Sequence, residues 1–278
     1  MMFARDKSQM CNNLLQYAHV YAWGREHGRK VISMRFSYKY QYFKICHTSL
    51  TGFGWYLLAK YLAALRLLPT ASFKYDDCDR EALERKMLRH RHIVVSGWHA
   101  RWYDLFLKYR DEITDLFTLD SQYTDPVKAK MQEAEQGSTG SIVRLGVHIR
   151  RGDYRIFHDG KYLYDDEVYQ RHIRRFMMLH PGKAIHVYIA TNDPEVKELS
   201  YQEQCPGAHV HCLGGSSPED LFMLSECDYL IGPPSTYSLV AAMYRDIPLY
   251  RMDETDEDMM TLESFRRSTI GSAVLSSS

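Results

Sequence analysis

The chain has little of what marks a specialised scaffold. Its 278 residues hold 6 cysteines, at positions 11, 46, 78, 205, 212 and 227, with no CxxC pair among them. They are too sparse for a disulfide framework and lack zinc-ribbon spacing, so a reducing compartment fits best. With 9 prolines and 16 glycines, the composition is far from collagen or low-complexity chains. No charge dominates, since 35 Lys and Arg balance 35 Asp and Glu. The wide basic field of a protein that coats nucleic acid is missing, and an anionic partner must be held locally. Met1 to Met10 includes Arg5, Asp6 and Lys7 and has no apolar core, so no signal peptide is read there. The longest apolar stretch, Phe53 to Leu68, carries Lys60 and Arg66. It is too short and too charged to span a bilayer. It reads as a buried amphipathic helix, the alternative being a helix lying on a membrane surface.

What is present is ordinary globular material, 45% hydrophobic and 25% charged, long enough for one large domain or two. Leu14, Leu15, Tyr17, Ala18, Tyr21 and Ala22 recur at helical spacing and Gly28 comes after them, predicting a helix over Asn12–His27 and then a strand over Val31–Phe36. Further on come a charged helical stretch around Glu81–His90, a short strand at Ile93–Val95 and a helix around Arg101–Tyr109. The small, polar run Gln132–Ser141 is the best boundary, giving domains 1–140 and 141–278. Beyond it, Ile142–Ile149, Ile185–Ala190, His209–Leu213, Tyr229–Ile231 and Ile247–Tyr250 read as short strands with helical patterns between them. Asp165, Asp193-Pro194 and Ser217-Pro218 mark helix starts. Alternating strands and helices imply a doubly wound, mainly parallel sheet, a Rossmann-like domain whose ligands bind beyond the carboxyl ends of the strands.

Three such ends carry chemistry. In the first, Gly146 to Asp153, alternation puts Val143, Leu145, Val147 and Ile149 on one face of the strand and His148 and Arg150 on the other. A guanidinium is a fixed, always charged fork of donors that matches phosphate oxygens two at a time, so Arg150 and Arg151 suit a diphosphate. The plainer role is a pair bridged to Asp153 as structural glue. The Arg-Gly-Asp tripeptide embedded here comes directly after a core strand and is not read as an adhesion signal. In the second end, Asn192 and Asp193 leave the sheet where a carboxylate can accept from a base amino group or a ribose hydroxyl, although Asp before Pro also caps helices. In the third, Gly232-Pro233-Pro234 delivers Ser235 and Thr236 to a helix N-terminus, whose free N–H groups and dipole attract phosphate.

His148-Ile149-Arg150-Arg151-Gly152-Asp153 resembles the HxRRxD motif of the α1,2- and α1,6-fucosyltransferase superfamily. The likeness continues in order through Ala190–Pro194, Ser217–Asp228 and Pro234–Ser238, and Asn12–Ala18 is similar to the Gly-Asn-Gln-Met-Phe-Gln-Tyr-Ala segment of α1,2-fucosyltransferases. It implies an α/β fold of two Rossmann-like domains facing each other across a cleft, the GT-B arrangement. The first domain would serve the acceptor and the second the nucleotide sugar. It implies metal-independent, inverting transfer of fucose from GDP-fucose to a hydroxyl of a glycan, in an α1,2 linkage to a galactoside-type acceptor. Arg150 would grip the β-phosphate, His148 the guanine or ribose and Asp193 the base, while Ser235 and Thr236 close over the diphosphate. Arg151 and Asn192 complete the donor set, and Asp153, His158 and Asp159 are the candidates for a base. No metal or other cofactor is expected. The partners would be the GDP-sugar and a glycan, lipid-linked in one version, with no nucleic acid. The enzyme would be cytoplasmic, resting on the inner membrane face where such acceptors lie. One departure is the segment Lys7–Asn12, which has no glycine where the family has a glycine-rich loop.

Two rivals stand beside this reading. Asp77-Cys78-Asp79 spells the DxD that holds a metal in another glycosyltransferase fold, although here it sits in an acidic cluster. The other rival is a non-catalytic nucleotide or glycan binder with the same fold. His209 and His211 share a strand face but show no third metal ligand, so they read as satisfied or surface histidines. The acidic run Asp253–Asp258 reads as a solvated loop. Trp23, Trp55, Trp98 and Trp102 could stack on sugars or fill a core.

Overall fold

A strand of four residues, β1 (Met2–Arg5), lies inside the first sheet of this computed structural model, which describes residues 1–5, 8–252 and 260–267. The acidic run Asp253–Asp258 falls outside the described residues. The chain divides into two compact units, Met1–Asp120 and Ser121–Ser278.

In the first unit, β1 is succeeded by α1 (Met10–Glu26), β2 (Val31–Ser33), α2 (Phe53–Ala64), β3 (Thr70–Ser72), α3 (Arg80–Arg89), β4 (Ile93–Ser96), α4 (Tyr103–Lys108) and α5 (Arg110–Leu116). The strands are all parallel, in the order β2-β1-β4-β3, with Phe3 opposite both Ile32 and Val94. Helix α1 is buried along most of its length, including Asn13 and Gln16, and Asn13 Nδ2 donates to the carbonyls of Ser8 and Gln9 at 2.5 and 2.7 Å. Helix α2 corrects an expectation. It forms where predicted, yet only part of it faces the Phe3, Ile32 and Val94 cluster: Tyr56, Ala59, Leu62 and Ala63 pack there, and the Trp55 ring lies 6.4 Å from that of Phe3. Leu58, Tyr61 and Leu65 stay 46, 59 and 67% exposed. The segment is apolar on both faces, and the sheet covers one of them.

The second unit opens with α6 (Ser121–Ala134), whose last turn enters the polar run at 132–141. It packs on α9 (Ser217–Ser225), and Glu135, just past its end, forms a two-pronged bond to Arg144 at 2.6 and 2.8 Å. The remaining elements are β5 (Ile142–Ile149), α7 (Asp166–Met178), β6 (Ala184–Thr191), α8 (Glu198–Gln204), β7 (Ala208–His211), β8 (Tyr229–Gly232), α10 (Thr236–Arg245) and β9 (Leu249–Arg251). Their parallel sheet has the order β7-β6-β5-β8-β9. The apolar face of β5, Leu145, Val147 and Ile149, is fully buried in the cluster that includes Ile173 and Phe176 of α7. The chain runs outward from β5 through β6 to β7, then returns to the other side of β5 for β8 and β9. Ligands of such sheets bind where that reversal leaves a crevice, beyond the carboxyl ends of β5 and β8.

One helix start moves. Asp193-Pro194 does not open α8, which begins at Glu198. The Asp193 carboxylate instead accepts from the Glu195 N–H at 3.0 Å and closes a turn, with Val196 N bonded to the Asp193 carbonyl.

Candidate functional site

The two strands flanking the switch point bring the first and third strand ends together. His148, second from the end of β5, is 5% exposed, and its Nδ1 lies 2.8 Å from the Ser238 hydroxyl in the first turn of α10. Its ring lies 4.9 Å from that of Tyr237, whose hydroxyl donates to the Ser217 carbonyl at 2.6 Å. This approach needs Gly232: a Cβ there would sit 2.9 Å from the Ser238 hydroxyl and 3.2 Å from His148 Cβ. Burial, helped by the Arg150 charge, pushes the His148 imidazole down to about 3, so it is neutral at ordinary pH.

Arg150 comes two residues later. Its side chain is 19% exposed, and Nη2 lies 2.8 and 2.9 Å from the two oxygens of the half-exposed Asp153 carboxylate. The guanidinium also lies 5.7 Å from the centre of the Tyr154 ring. Tyr154, in the 3-10 turn Gly152–Arg155, donates its hydroxyl to the Pro234 carbonyl and so ties the loop after β5 to the loop after β8. Beyond Pro234, Ser235 is the N-cap of α10 and its side chain accepts from the Tyr237 N–H at 3.2 Å, with Thr236 as the first helical residue. The arrangement places a charged fork and a helix N-terminus on one sheet edge, the combination that holds a diphosphate.

Arg151 points elsewhere, as alternation requires. It donates to Asp166 at the start of α7, to Asp193 at 3.3 Å and to the Tyr164 carbonyl at 3.2 Å, so both prongs of its fork meet carboxylates of the fold. Its backbone N–H donates to Asn192 at 2.9 Å. A Cβ at Gly152 would lie 2.6 Å from Asn192 Nδ2, so only glycine leaves that side chain in place. Asp193 is 9% exposed, and the Glu195 N–H, with Arg151 beside it, holds its carboxyl below the usual range. This network locks the ends of β5 and β6 together behind Arg150. Asp166 and Tyr154, which complete it, carried no sequence signal beyond a helix start and an aromatic after the motif.

The other candidates are dispersed. His158 and Asp159 lie exposed on the 3-10 turn Phe157–Gly160, both with positive φ, and His158 packs edge-on against Phe157 and Tyr162. Asp79 caps α3, accepting from the Ala82 N–H at 2.9 Å, so one carboxylate of the DxD triplet has a structural task. His211 is bonded to His186 at 3.0 Å, and His209 stacks on His186 at 4.7 Å. Among the described residues no group of three or more His, Cys, Asp or Glu is arranged to hold a metal ion.

No protein-family model matches the sequence, and no curated protein matches it. Solved structures share its fold. An Arabidopsis thaliana FUT1 variant in complex with GDP aligns over 96% of this chain and 73% of its own, with a TM-score of 0.64 and 12% identity. The fucosyltransferase NodZ from Bradyrhizobium aligns over 91 and 95% at a TM-score of 0.55 and 16% identity. POFUT1 in complex with GDP-fucose aligns over 88 and 94% at 0.54 and 11%. The mixed α/β chain with two parallel sheets has the fold of these GT-B-type fucosyltransferases, as the sequence led us to expect.

Proposed function

We propose that this protein is a fucosyltransferase that moves fucose from GDP-fucose to a hydroxyl of a glycan acceptor, with inversion and without a metal. The carrying observation is the switch point of the second sheet, where Arg150 and the N-terminus of α10 meet through Tyr154 and Pro234. Breaking a sugar–phosphate bond builds negative charge on the departing diphosphate. Donors fixed in advance at that charge are worth roughly 10²–10³ in rate each. Arg150 supplies the charge, and Ser235, Thr236 and the first N–H groups of α10 close over the phosphates. Neutral His148, anchored by Ser238, offers its other ring nitrogen to the ribose or base as a hydrogen-bonding group. Asp193 and Asn192 bound the nucleoside side, and Arg151 positions both.

For the acceptor proton, Asp153 is the first candidate and His158 the second. The Arg150–Asp153 pair also gives Asp153 the task of orienting the guanidinium. The α1,2 linkage and the galactoside-type acceptor are supported by the Asn12–Ala18 segment of α1. The complexes with GDP and GDP-fucose among the structural neighbours support the donor.

The test is titration with GDP, then GDP release from GDP-fucose over a panel of acceptors. Arg150→Ala should lower turnover about 10²-fold or more, with Arg150→Lys intermediate because it keeps charge but loses the fork. Chelator should change nothing. Near-wild-type turnover in Arg150→Ala would defeat the reading, and loss of activity in chelator would favour the DxD alternative. GDP binding with no turnover on any acceptor would leave a binding protein.

A further inference from the structure

We propose that the open face of α2, with the basic segment around it, seats this protein on an anionic lipid surface. Apart from Lys60, helix α2 carries apolar, aromatic or small residues at every position, a pattern that ordinarily means burial on all sides. Yet Leu58, Tyr61 and Leu65, spaced to fall on one stripe, turn away from the sheet and stay 46 to 67% exposed, while Phe53, its ring 5.7 Å from that of Tyr56, and Leu67, past the helix end, are 57 and 70% exposed. A contiguous apolar patch of this kind on a chain otherwise balanced in polarity marks a surface that something covers.

Charge identifies the occupant. Between Glu26 and Asp76 the sequence contains no Asp or Glu and eight Lys and Arg, in a protein whose total charge is zero. Part of that charge flanks the helix directly. Lys60 Nζ lies 5.6 and 5.8 Å from the ring centres of Tyr56 and Tyr61, and Arg66 is exposed just past the helix end. The Tyr38 ring packs at 4.6 Å on Tyr56 and accepts at its hydroxyl from Arg35 at 2.8 Å. Trp55, 42% exposed, adds an indole beside the stripe. Exposed leucines ringed by Lys, Arg, Tyr and Trp suit the boundary between acyl chains and anionic headgroups, where each basic residue adds about fivefold in affinity. A second copy would set one acid-free segment against another, so like charges oppose self-association. At twelve residues α2 is too short to cross a bilayer, and no helix among the described residues is long and apolar enough to do so. The helix therefore lies in the membrane plane.

The experiment is flotation of the full chain with vesicles of phosphatidylglycerol and phosphatidylcholine, against vesicles of phosphatidylcholine alone. Binding should require the anionic lipid and fall steeply in about 0.5 M salt. Leu58→Glu with Leu65→Glu should abolish it, and Lys60→Gln with Arg66→Gln should weaken it about tenfold or more. Brominated lipid should quench the wild-type tryptophan fluorescence, and Trp55→Phe should remove most of that quenching. Circular dichroism and GDP titration on the same variants should match wild type, because the proposed donor site lies in the other unit. Should the leucine pair not fold, the charge pair and the wild-type quenching decide. Wild-type protein that does not float with anionic vesicles, or flotation that survives both double substitutions, overturns the proposal. A concentration-dependent dimer lost in Leu58→Glu, without vesicle binding, overturns it in favour of a second copy. Loss of GDP binding in wild type bears on the fucosyltransferase reading alone.

Discussion

His148 is a residue of the candidate site whose ionisation the fold constrains strongly. Its imidazole titrates near 3 instead of near 6.5, because burial and the neighbouring Arg150 both oppose the proton. His19, fully buried beneath α4, is pushed down in the same way. For such a group the unfolded chain takes up a proton as pH falls below about 6.5 while the native protein does not, so stability is fully present above that pH and is lost on acidification. For His148 the loss is about 1.4 kcal/mol per pH unit, or about 2 kcal/mol by pH 5, and His19 adds to it in the same direction. Urea unfolding at pH 7 and pH 5 should show this fall, with a shallower slope in His148→Gln. An equal slope would mean that the imidazole is accessible in the native state. The same neutrality implies that no ionisation of His148 shapes a pH–rate profile between pH 5 and 8. At this scale the sequence revealed which residues carry charge and on which side of β5 they lie, because alternation is a local rule. It did not reveal partners. Arg150 and Arg151 are adjacent, yet one meets Asp153 and the other meets Asp166 and Asp193, a choice set by how α7 and β6 pack.

Two helices of the second unit start with the same device, and they separate stability from binding. Ser216 caps α9 in a capping box with Glu219, and Ser235 caps α10 through the Tyr237 N–H. Replacing either serine by alanine should cost about 1 kcal/mol of stability. Only the N-terminus of α10 lies at the switch point. Ser235→Ala should therefore lower both the melting temperature and the affinity for GDP, and Ser216→Ala the melting temperature alone. Calorimetry on the pair checks this, and equal GDP affinities would remove α10 from the proposed site. The strands of the second sheet were legible because each is an apolar or alternating run bounded by turn residues. Strands β1 and β3 were not, since Met2–Arg5 and Thr70–Ser72 are too short to show a period and become strands by pairing with β4. Helix α2 was legible as a helix, but its apolar faces do not say how many of them the rest of the chain covers.

For the molecule as a whole, composition located a change near residues 132–141, while the contacts divide the chain after Asp120. The first three residues of the polar run finish α6, and residues 135–141 form the loop between α6 and β5. Composition does not carry the fact that α6 belongs with the second sheet, through its packing on α9 and through the Glu135–Arg144 bond, to which the Tyr188 hydroxyl adds a third contact at 2.7 Å from Glu135. This division makes the assignment of the donor to the second unit testable in the intact protein. A ligand that binds only the native state stabilises it by about 2.7 kcal/mol at a hundredfold excess over its dissociation constant. That stabilisation is felt first where opening exposes the ligand's own contacts. With GDP bound, amide exchange should slow at the end of β5, in the 3-10 turn Gly152–Arg155 and in the first turns of α10, and be unchanged in β1, β4 and α2. Mass spectrometry of the intact chain with and without GDP reads these segments separately. Protection centred on β1 and the start of α1 would place the nucleotide in the first unit, and the role assigned to Arg150 would then fall with it.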